Sequence, residues 1–464
     1  MLPALEPTTN ISEPPSPVGA NAPVGTRSIV FTPANLRVWG KKSALSLVDQ
    51  GLTSAAGFGV NVFLARWAPA EVYGAFAVAF AGFLFVSGFH NVLLLEPLSV
   101  FGPSRYAGRL PEYFKTQIVI HTLLVGALSA AVIFAGLLLW RFLPGNPLTG
   151  AVLGVGVALP FLLLLWLARR MCYVMHRPAT AILGSGFYLA FVCAGLFLAG
   201  RYGRVNAFNA FLLMAAGSLL AAGILARALG LLSGGSPRPS GISWFSALRE
   251  NWSYGKWLVG SVVLFSVSGQ TQTFLVAASL GLGAAGILRA MQIPSLAMMQ
   301  VVAATGLLVL PTLSRDFGRG LIERMSHKAM LVSAALVCVT LCFAALLALE
   351  TTRVEHALYS GKYSADAWLM PLLALIPVFT GAGIGFDMAL RASQKPRFDL
   401  VSNLFAAPVA IASAFLFVRW WGLAGAAASM LVSFVVLSCV TVVFFFRESA
   451  RGRVASGDEA GALP

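Results

Sequence analysis

The chain has 464 residues, of which 58% are hydrophobic and 11% are charged, and its mean hydropathy is +0.82. A soluble protein of this length could not keep so apolar a surface in water, so the composition predicts a membrane protein. The net charge of +15 does not indicate nucleic-acid binding, because the basic residues are spread over many loops instead of lying on one face or arm.

The sequence predicts an all-α polytopic membrane protein. Apolar stretches recur along the chain, each about 20 residues long, which is the length a helix needs to cross the hydrocarbon core. Twelve such spans are predicted, near residues 44–66, 73–98, 116–139, 149–168, 178–200, 207–229, 257–279, 284–312, 328–350, 367–390, 398–418 and 422–446.

These spans fall into two groups of six, separated by a break that contains Gly234, Gly235, Pro237 and Pro239. After the break, Trp244–Lys256 carries aromatic and basic residues, which is typical of an interfacial segment or of an ordinary loop with interfacial tryptophans. The predicted organisation is a disordered tail (1–43), a six-helix bundle (44–229), a linker (230–256), a second six-helix bundle (257–446) and a C-terminal tail (447–464).

The cations indicate which way the spans point. Most of the 32 basic residues fall in alternate loops, and Lys and Arg in short loops are retained on the cytoplasmic side. We therefore predict a multi-pass protein with both termini and the linker in the cytoplasm.

The two bundles repeat one another in sequence. Pro178 and Arg201 flank span five, and Pro396 and Arg419 flank span eleven at the same offset of 218 (396 − 178 and 419 − 201). A weaker match relates spans one and two to spans seven and eight, with Gly74 matching Gly286 at an offset of 212. Because six spans separate the equivalents, the repeats are parallel, which is typical of transporters that bind substrate between two halves.

No catalytic or metal-binding pattern occurs in the sequence. The five histidines and five cysteines stand in no triad or metal-ligand spacing. The predicted outer loops are short, which disfavours a membrane glycosyltransferase or polymerase. We therefore predict a protein that is not an enzyme and that requires no cofactor or metal.

Polar residues inside the spans are the candidates for substrate binding, since such residues usually face a water-filled cavity. Arg289 lies deep in span eight, close to Gln292, and a guanidinium suits a phosphate or a carboxylate; a snorkelling or paired arginine is the alternative. Gln270 and Gln272 belong to a polar row in span seven, where hydrogen bonding between helices is the alternative. Asn61 lies in span one.

Carboxylates near the predicted cytoplasmic ends suggest two further roles. Asp49 in span one is a candidate for binding H⁺ or Na⁺, and pairing with a nearby lysine is the alternative. Glu96 in span two and Asp387 in span ten are candidates for gating ion pairs with arginines in the loops.

Several short segments resemble the polysaccharide-unit flippases (Wzx type) of the multidrug, oligosaccharidyl-lipid and polysaccharide (MOP) exporter superfamily. They are Gly51–Ala65 with Glu71–Gly74, Tyr254–Trp257, Ala285–Ala290 and Leu310–Ser314. The resemblance implies a bacterial inner-membrane protein that moves a polyprenyl-pyrophosphate-linked oligosaccharide across the membrane for surface polysaccharide or exopolysaccharide synthesis.

The resemblance also implies alternating access, coupling to an ion gradient, and a central cavity lined by spans one, two, seven and eight. On this chain it assigns Arg289, Gln270, Gln272 and Asn61 to that cavity and leaves Asp49 as a possible coupling carboxylate. Membrane lipids and, as possible partners, a polysaccharide polymerase or chain-length protein follow from the same resemblance. A cation-coupled multidrug or small-molecule antiporter of the same superfamily is the alternative function.

Overall fold

The computed structural model describes residues 33–232, 241–393 and 397–460. The predicted tail up to residue 32, the glycine- and proline-rich break at 234–239, Pro396 and the last four residues lie outside these ranges. Residues Leu45–Pro464 form one compact unit.

The described chain is helical and contains no strand. The helices are α1 (Pro33–Trp67), α2 (Ala70–His90), α3 (Glu96–Ser104), α4 (Leu110–Phe142), α5 (Pro147–Val174), α6 (Pro178–Arg201), α7 (Ala207–Ala228), α8 (Trp244–Ser279), α9 (Leu282–Gly318), α10 (Ile322–Leu349), α11 (Thr351–Tyr359), α12 (Leu369–Leu373), α13 (Leu375–Ala392) and α14 (Arg397–Ala460). A π-helical turn, Asn91–Leu95, joins α2 to α3.

The predicted fold class is confirmed. In the described ranges, ten helical segments are long and apolar enough to cross a membrane. The difference from twelve has two causes. Polar residues such as Asp49 and Asn61 interrupt the apolar sequence of α1, which is not among the ten. In α14, the sharp break at Gly422, where φ is +57°, falls at the first residue of predicted span twelve, so this one helix holds two predicted spans.

The first residues of α8 belong to the predicted linker. Trp244–Lys256 is helical and continues without a break into the apolar part of α8. The side chains of Trp244, Phe245 and Trp252 are about half exposed or more.

The chain runs back and forth between two ends of the bundle. We call the end at which α1 stops and α2 starts the Trp67 end, and the opposite end, between α3 and α4, the Arg105 end. The sequence predicts that the Trp67 end is outside the cell. In the first half α5 packs against α2, α4 and α7, and in the second half α13 packs against α9, α10 and α14.

The helix boundaries repeat with the offset seen in the sequence. α8 ends 212 residues after α1 (279 − 67), and α9 begins 212 residues after α2 (282 − 70). The equivalent glycines of α2 and α9 lie against each other: a Cβ on Gly74 would stand 1.7 Å from the carbonyl oxygen of Leu282, and one on Gly286 would stand 2.2 Å from that of Ala70. The two repeats thus cross at their own equivalent positions, with backbone against backbone.

We predict that Gly74→Ala lowers the melting temperature of the detergent-solubilised protein strongly. The new methyl group would overlap backbone atoms of α9, and overpacking of this kind costs about 1–3 kcal/mol or more. Gly82→Ala, on the same helix but with nothing within 4 Å of the added carbon, is the matched control. Equal melting temperatures for the two variants, measured by fluorescence-detected size exclusion after heating, would contradict the crossing.

Candidate functional site

A cavity of about 640 Å³ lies between the two halves. Its walls come mainly from α1, α2, α8 and α9, with Ile376 of α13 and three residues of α14 completing them. All five residues that the sequence indicated for substrate binding line this cavity: Asn61, Gln270, Gln272, Arg289 and Gln292.

Arg289 is held by a small hydrogen-bonded array. Asn61 donates from Nδ2 to the carbonyl of Gly57 (2.8 Å), which turns its Oδ1 toward α9. This oxygen accepts from the Tyr73 hydroxyl (3.0 Å) and from Nε of Arg289 (3.3 Å). Nη1 of Arg289 lies 3.5 Å from Oε1 of Gln292. The guanidinium is therefore held by Asn61 through its Nε and by Gln292 through its Nη1, and Arg289 is part of the cavity lining.

The charge of this cavity has one sign. Within the described residues, Arg289 is the charged side chain of the lining, and no carboxylate lies within ion-pair distance of it. The other polar groups are neutral amides and hydroxyls, among them Gln300, Ser54 and Ser295. An unpaired cation at membrane depth is costly, and it attracts an anion more strongly there than in water.

A second cavity of about 410 Å³ adjoins the first, because Leu84 and Gln270 line both. It extends along α2 and α8 toward the Arg105 end, past Asn91, Trp166 and Ser261. Together the two cavities follow the interface between the halves from Arg289 toward the predicted cytoplasmic side.

The Trp67 end is closed by the segment between α10 and α12, residues 351–366. Lys362 Nζ donates to the carbonyl of Ala65 (2.9 Å) and to that of Ala68, at the C-terminal end of α1. The Tyr363 hydroxyl also donates to Ala65 (3.1 Å), and Arg66 reaches back to the carbonyl of Ala357 (3.0 Å).

Free carbonyls at a helix C-terminus need donors, and they favour a cation. Lys362 supplies both the N–H donors and the positive charge, although burial lowers the pKa of its ammonium group below the ordinary value. A segment of the second half therefore fastens the end of the first helix of the first half.

The same segment supplies a hydrogen-bond donor to α9 at Pro294, close to Arg289 in the chain. Pro294 has no N–H, so the carbonyl of Ala290, four residues earlier, loses its helical partner. The Tyr359 hydroxyl donates to this carbonyl (2.7 Å). Bends at proline are tolerated at membrane depth only when a neighbour satisfies the freed carbonyl in this way.

Polar contacts join the halves at the Arg105 end as well. Glu250 of α8 accepts from Arg105 and from the Tyr106 hydroxyl (2.8 Å). Asn251 and Gln117 are fully buried and bind each other through their amides (3.0 and 3.4 Å). These residues were not identified as site residues from the sequence, because only the fold brings α8 next to α3 and α4.

The structure places the three predicted carboxylates away from the cavity lining. Asp49 is fully buried within the first half, where its carboxylate accepts from Arg169 (2.6 Å), Tyr173 (2.5 Å) and Ser185 (2.5 Å). Its partner is thus an arginine and not the lysine that the sequence suggested. This set of donors satisfies both carboxylate oxygens.

The two candidate gate residues have partners close to them in the chain. Glu96 accepts from Asn91 (3.4 Å), and Asp387 pairs with Arg391 one turn further along α13 (3.1 Å). Among the described residues, Glu250 and Asn251 of α8 join the halves at the Arg105 end.

Three residues near Arg289 lie in segments that the sequence already marked. Tyr73 lies within the Glu71–Gly74 segment that carries the resemblance, and Tyr359 and Lys362 lie in the loop between predicted spans nine and ten. Their contacts with α1 and α9 depend on the packing of the halves, so sequence spacing gives no signal for them.

We predict that Tyr359→Phe lowers the free energy of unfolding by about 1–3 kcal/mol, because it leaves the buried carbonyl of Ala290 without a donor. In a Pro294→Ala background the new N–H of residue 294 can bond to this carbonyl, so the same Tyr359→Phe change should cost much less. The double-mutant cycle is measured by unfolding in mixed micelles. Equal costs in the two backgrounds would contradict the assigned role of Tyr359.

We predict that Lys362→Met opens the Trp67 end, because a methionine keeps the apolar stem but cannot donate to the α1 carbonyls. A loss of about 1–2 kcal/mol changes the ratio of closed to open protein about 5- to 30-fold. The readout is a cysteine introduced by Ser54→Cys in the cavity, in a protein whose native cysteines have been replaced. This cysteine should react about fivefold faster or more with an impermeant maleimide. Arg353→Met, in the same segment and exposed, is the control. An unchanged labelling rate for Lys362→Met would refute the fastening role.

Solved membrane transporters share this fold. An inward-facing multidrug-resistance MATE transporter of the MOP superfamily superposes with a TM-score of 0.72 at 12% identity, over 88% of this chain and 98% of the other. The lipid II flippase MurJ, in an inward closed conformation, gives 0.71 at 13% identity, over 89% and 91%.

A MOP superfamily transporter from Pyrococcus furiosus gives a TM-score of 0.63 at 11% identity, over 88% of this chain and 94% of the other. No protein-family model matches the sequence, and no curated protein matches it. The chain therefore has the fold of these transporters, at sequence identities that establish the fold alone.

Proposed function

We propose that the chain is a flippase that moves a polyprenyl-pyrophosphate-linked oligosaccharide across a bacterial inner membrane, for the synthesis of a surface polysaccharide or exopolysaccharide. One observation carries the proposal: the cavity between the halves presents the guanidinium of Arg289 with no carboxylate among its described lining residues. Such a cavity favours an anionic ligand.

The geometry of Arg289 suits a phosphate group. A guanidinium offers two parallel N–H donors to phosphate oxygens, and its Nε is already committed to Asn61. The neighbouring amides of Gln270, Gln272 and Gln292 offer both donors and acceptors, which match the hydroxyl groups of a sugar. The apolar polyprenyl chain would remain in the lipid.

The sign of the cavity charge also separates this function from the alternative, a cation-coupled multidrug antiporter. MATE multidrug transporters and the flippase MurJ share the fold equally well, so the fold does not choose between them. The Pyrococcus furiosus transporter is described as having a binding pocket of reverse polarity that suggests a different function. An organic cation would be repelled by Arg289.

Transport would proceed by alternating access. The contacts of Lys362 with α1 close the predicted outer side, and those of Glu250 with Arg105 and Tyr106 close the predicted cytoplasmic side. Rocking of the proposed bundles, 44–229 against 257–446, would break one set while the other holds. In this scheme both termini are cytoplasmic, and a polymerase or chain-length protein receives the product on the outer side.

We predict that Arg289→Ala lowers flipping about tenfold or more, because a hydrogen bond to a charged group contributes about 1.5–3 kcal/mol. Arg289→Lys, which keeps the charge but loses the planar fork, should retain part of the activity. Arg353→Ala, exposed at the surface, is the control with one cation removed elsewhere. Rates are compared at equal membrane abundance.

The measurement is made in a host strain that lacks the gene and carries each variant. Loss of function should remove surface polysaccharide and let complete lipid-linked units accumulate on the cytoplasmic leaflet, where their mass identifies the sugar. Full activity of Arg289→Ala would rule out the assigned role of Arg289. Unchanged surface polysaccharide together with new sensitivity to organic cations would support the antiporter instead.

A further inference from the structure

Two buried histidines in the first half form a pair that the proposed substrate site does not use. His90 at the end of α2 is 4% exposed and His121 on α4 is 2% exposed. Nε2 of His90 lies 3.1 Å from Nδ1 of His121, and Nε2 of His121 lies 3.1 Å from the carbonyl oxygen of Pro160 on α5. The pair thus links three helices.

The hydrogen bonds fix the proton positions of the neutral pair. The carbonyl of Pro160 can only accept, so Nε2 of His121 carries a proton and Nδ1 of that ring is an acceptor. Nε2 of His90 must then donate to it, which leaves Nδ1 of His90 as a bare lone pair. Among the described residues this buried nitrogen has no hydrogen-bond partner. A buried polar atom without a partner is costly, so its presence calls for an explanation.

The pair stands where two helices depart from regular geometry. The π-helical turn Asn91–Leu95 begins directly after His90, and π-helical turns inside helices often mark functional sites. α5 contains Pro160, which leaves the carbonyl of Gly156 without its helical donor, and the Ser129 hydroxyl of α4 donates to it (2.6 Å). The histidines therefore adjoin the π-helical turn after α2 and contact α5 at Pro160.

Charged groups on the surrounding elements are engaged elsewhere or, as Lys115 of α4 is, exposed. Of the described residues, His121 is the titratable group that is hydrogen-bonded to His90. The other hydrogen bond of the His121 ring goes to the carbonyl of Pro160. The nearby charges are paired as follows: Glu96 and Arg170 with Asn91, Arg169 with Asp49, Glu112 with Arg109, and Glu250 with Arg105. No carboxylate in the described ranges is placed to neutralise a cation on this pair.

The second cavity passes close to the pair. Ser87 and Asn91, which precede and follow His90 on the same stretch of chain, line this cavity. A proton that enters it from the Arg105 end, once the contacts of Glu250 have opened, would arrive beside the stretch of chain that carries His90.

We propose that His90 and His121 form a proton-binding site that selects between the conformations of the two halves. A proton from the aqueous phase adds to Nδ1 of His90 and converts the neutral pair into a shared imidazolium. Because a buried charge without a partner is costly, the present arrangement of α2, α4 and α5 is stable with the neutral pair, and the protonated pair favours another arrangement. This inference concerns the coupling ion and does not depend on the identity of the transported substrate.

The test measures conformation without substrate, in the full-length protein in lipid nanodiscs. Spin labels are attached through Arg204→Cys and Leu349→Cys, two exposed positions at the Trp67 end, one in each half, after replacement of the native cysteines. The distance distribution is recorded between pH 8 and pH 5. One bound proton changes the ratio of two conformations by at most about tenfold per pH unit.

We expect a pH-dependent shift in the parent protein and in His327→Gln, an exposed histidine, and none in the double variant His90→Gln/His121→Gln. A shift that persists in the double variant, or no shift in the parent protein, would overturn the proposal. If the double variant does not fold, nitrogen-15 spectra of histidine-labelled parent protein decide the question. Two buried rings that stay neutral throughout this range would then refute the site.

Discussion

The close crossing of α2 and α9 determines where everything else in the interface lies. A Cβ on Gly74 would overlap the carbonyl of Leu282, and one on Gly286 that of Ala70, so only glycine allows the backbones to meet there. Arg289 follows Gly286 by less than one turn. The crossing thus brings the two halves into contact near the Trp67 end and sets Arg289 beside this contact, in the wall of the cavity.

The interface is stabilised by groups that satisfy helix carbonyls across the two halves. Tyr359 donates to the carbonyl that Pro294 frees, and Lys362 donates to the carbonyls at the end of α1. Both belong to the segment between α10 and α12, so closure of the Trp67 end and the position of Arg289 depend on one short stretch of chain. A displacement of this segment would therefore break the contact of Tyr359 beside the binding site and the contacts of Lys362 with α1 at the same time.

The sequence was sufficient to predict the all-α membrane fold, the parallel repeat and the polar residues of the cavity. These features follow from hydropathy and from the cost of placing Arg289 and three glutamines at membrane depth. The sequence was not sufficient to predict which side chains pair with one another. Asp49 meets Arg169, and Glu250 meets Arg105, across more than 100 positions of the chain, and such pairs are set by helix packing that no local pattern encodes.

The polar groups buried within the first half are separate from those that line the cavity between the halves. The histidine pair and the Asp49 array lie within the first half, whereas Arg289 faces the cavity between the halves. This separation is what an exchanger needs if the coupling ion and the substrate occupy different sites and communicate through the conformation of the halves.

We propose that the cavity selects an anion. Equilibrium binding of polyprenyl pyrophosphate and of tetraphenylphosphonium, an organic cation, to the purified protein in nanodiscs, at low and high salt, tests this selectivity. We expect saturable binding of the pyrophosphate that weakens with salt, and no competition by the organic cation. Saturable binding of the cation without binding of the pyrophosphate would show that the cavity does not select an anion.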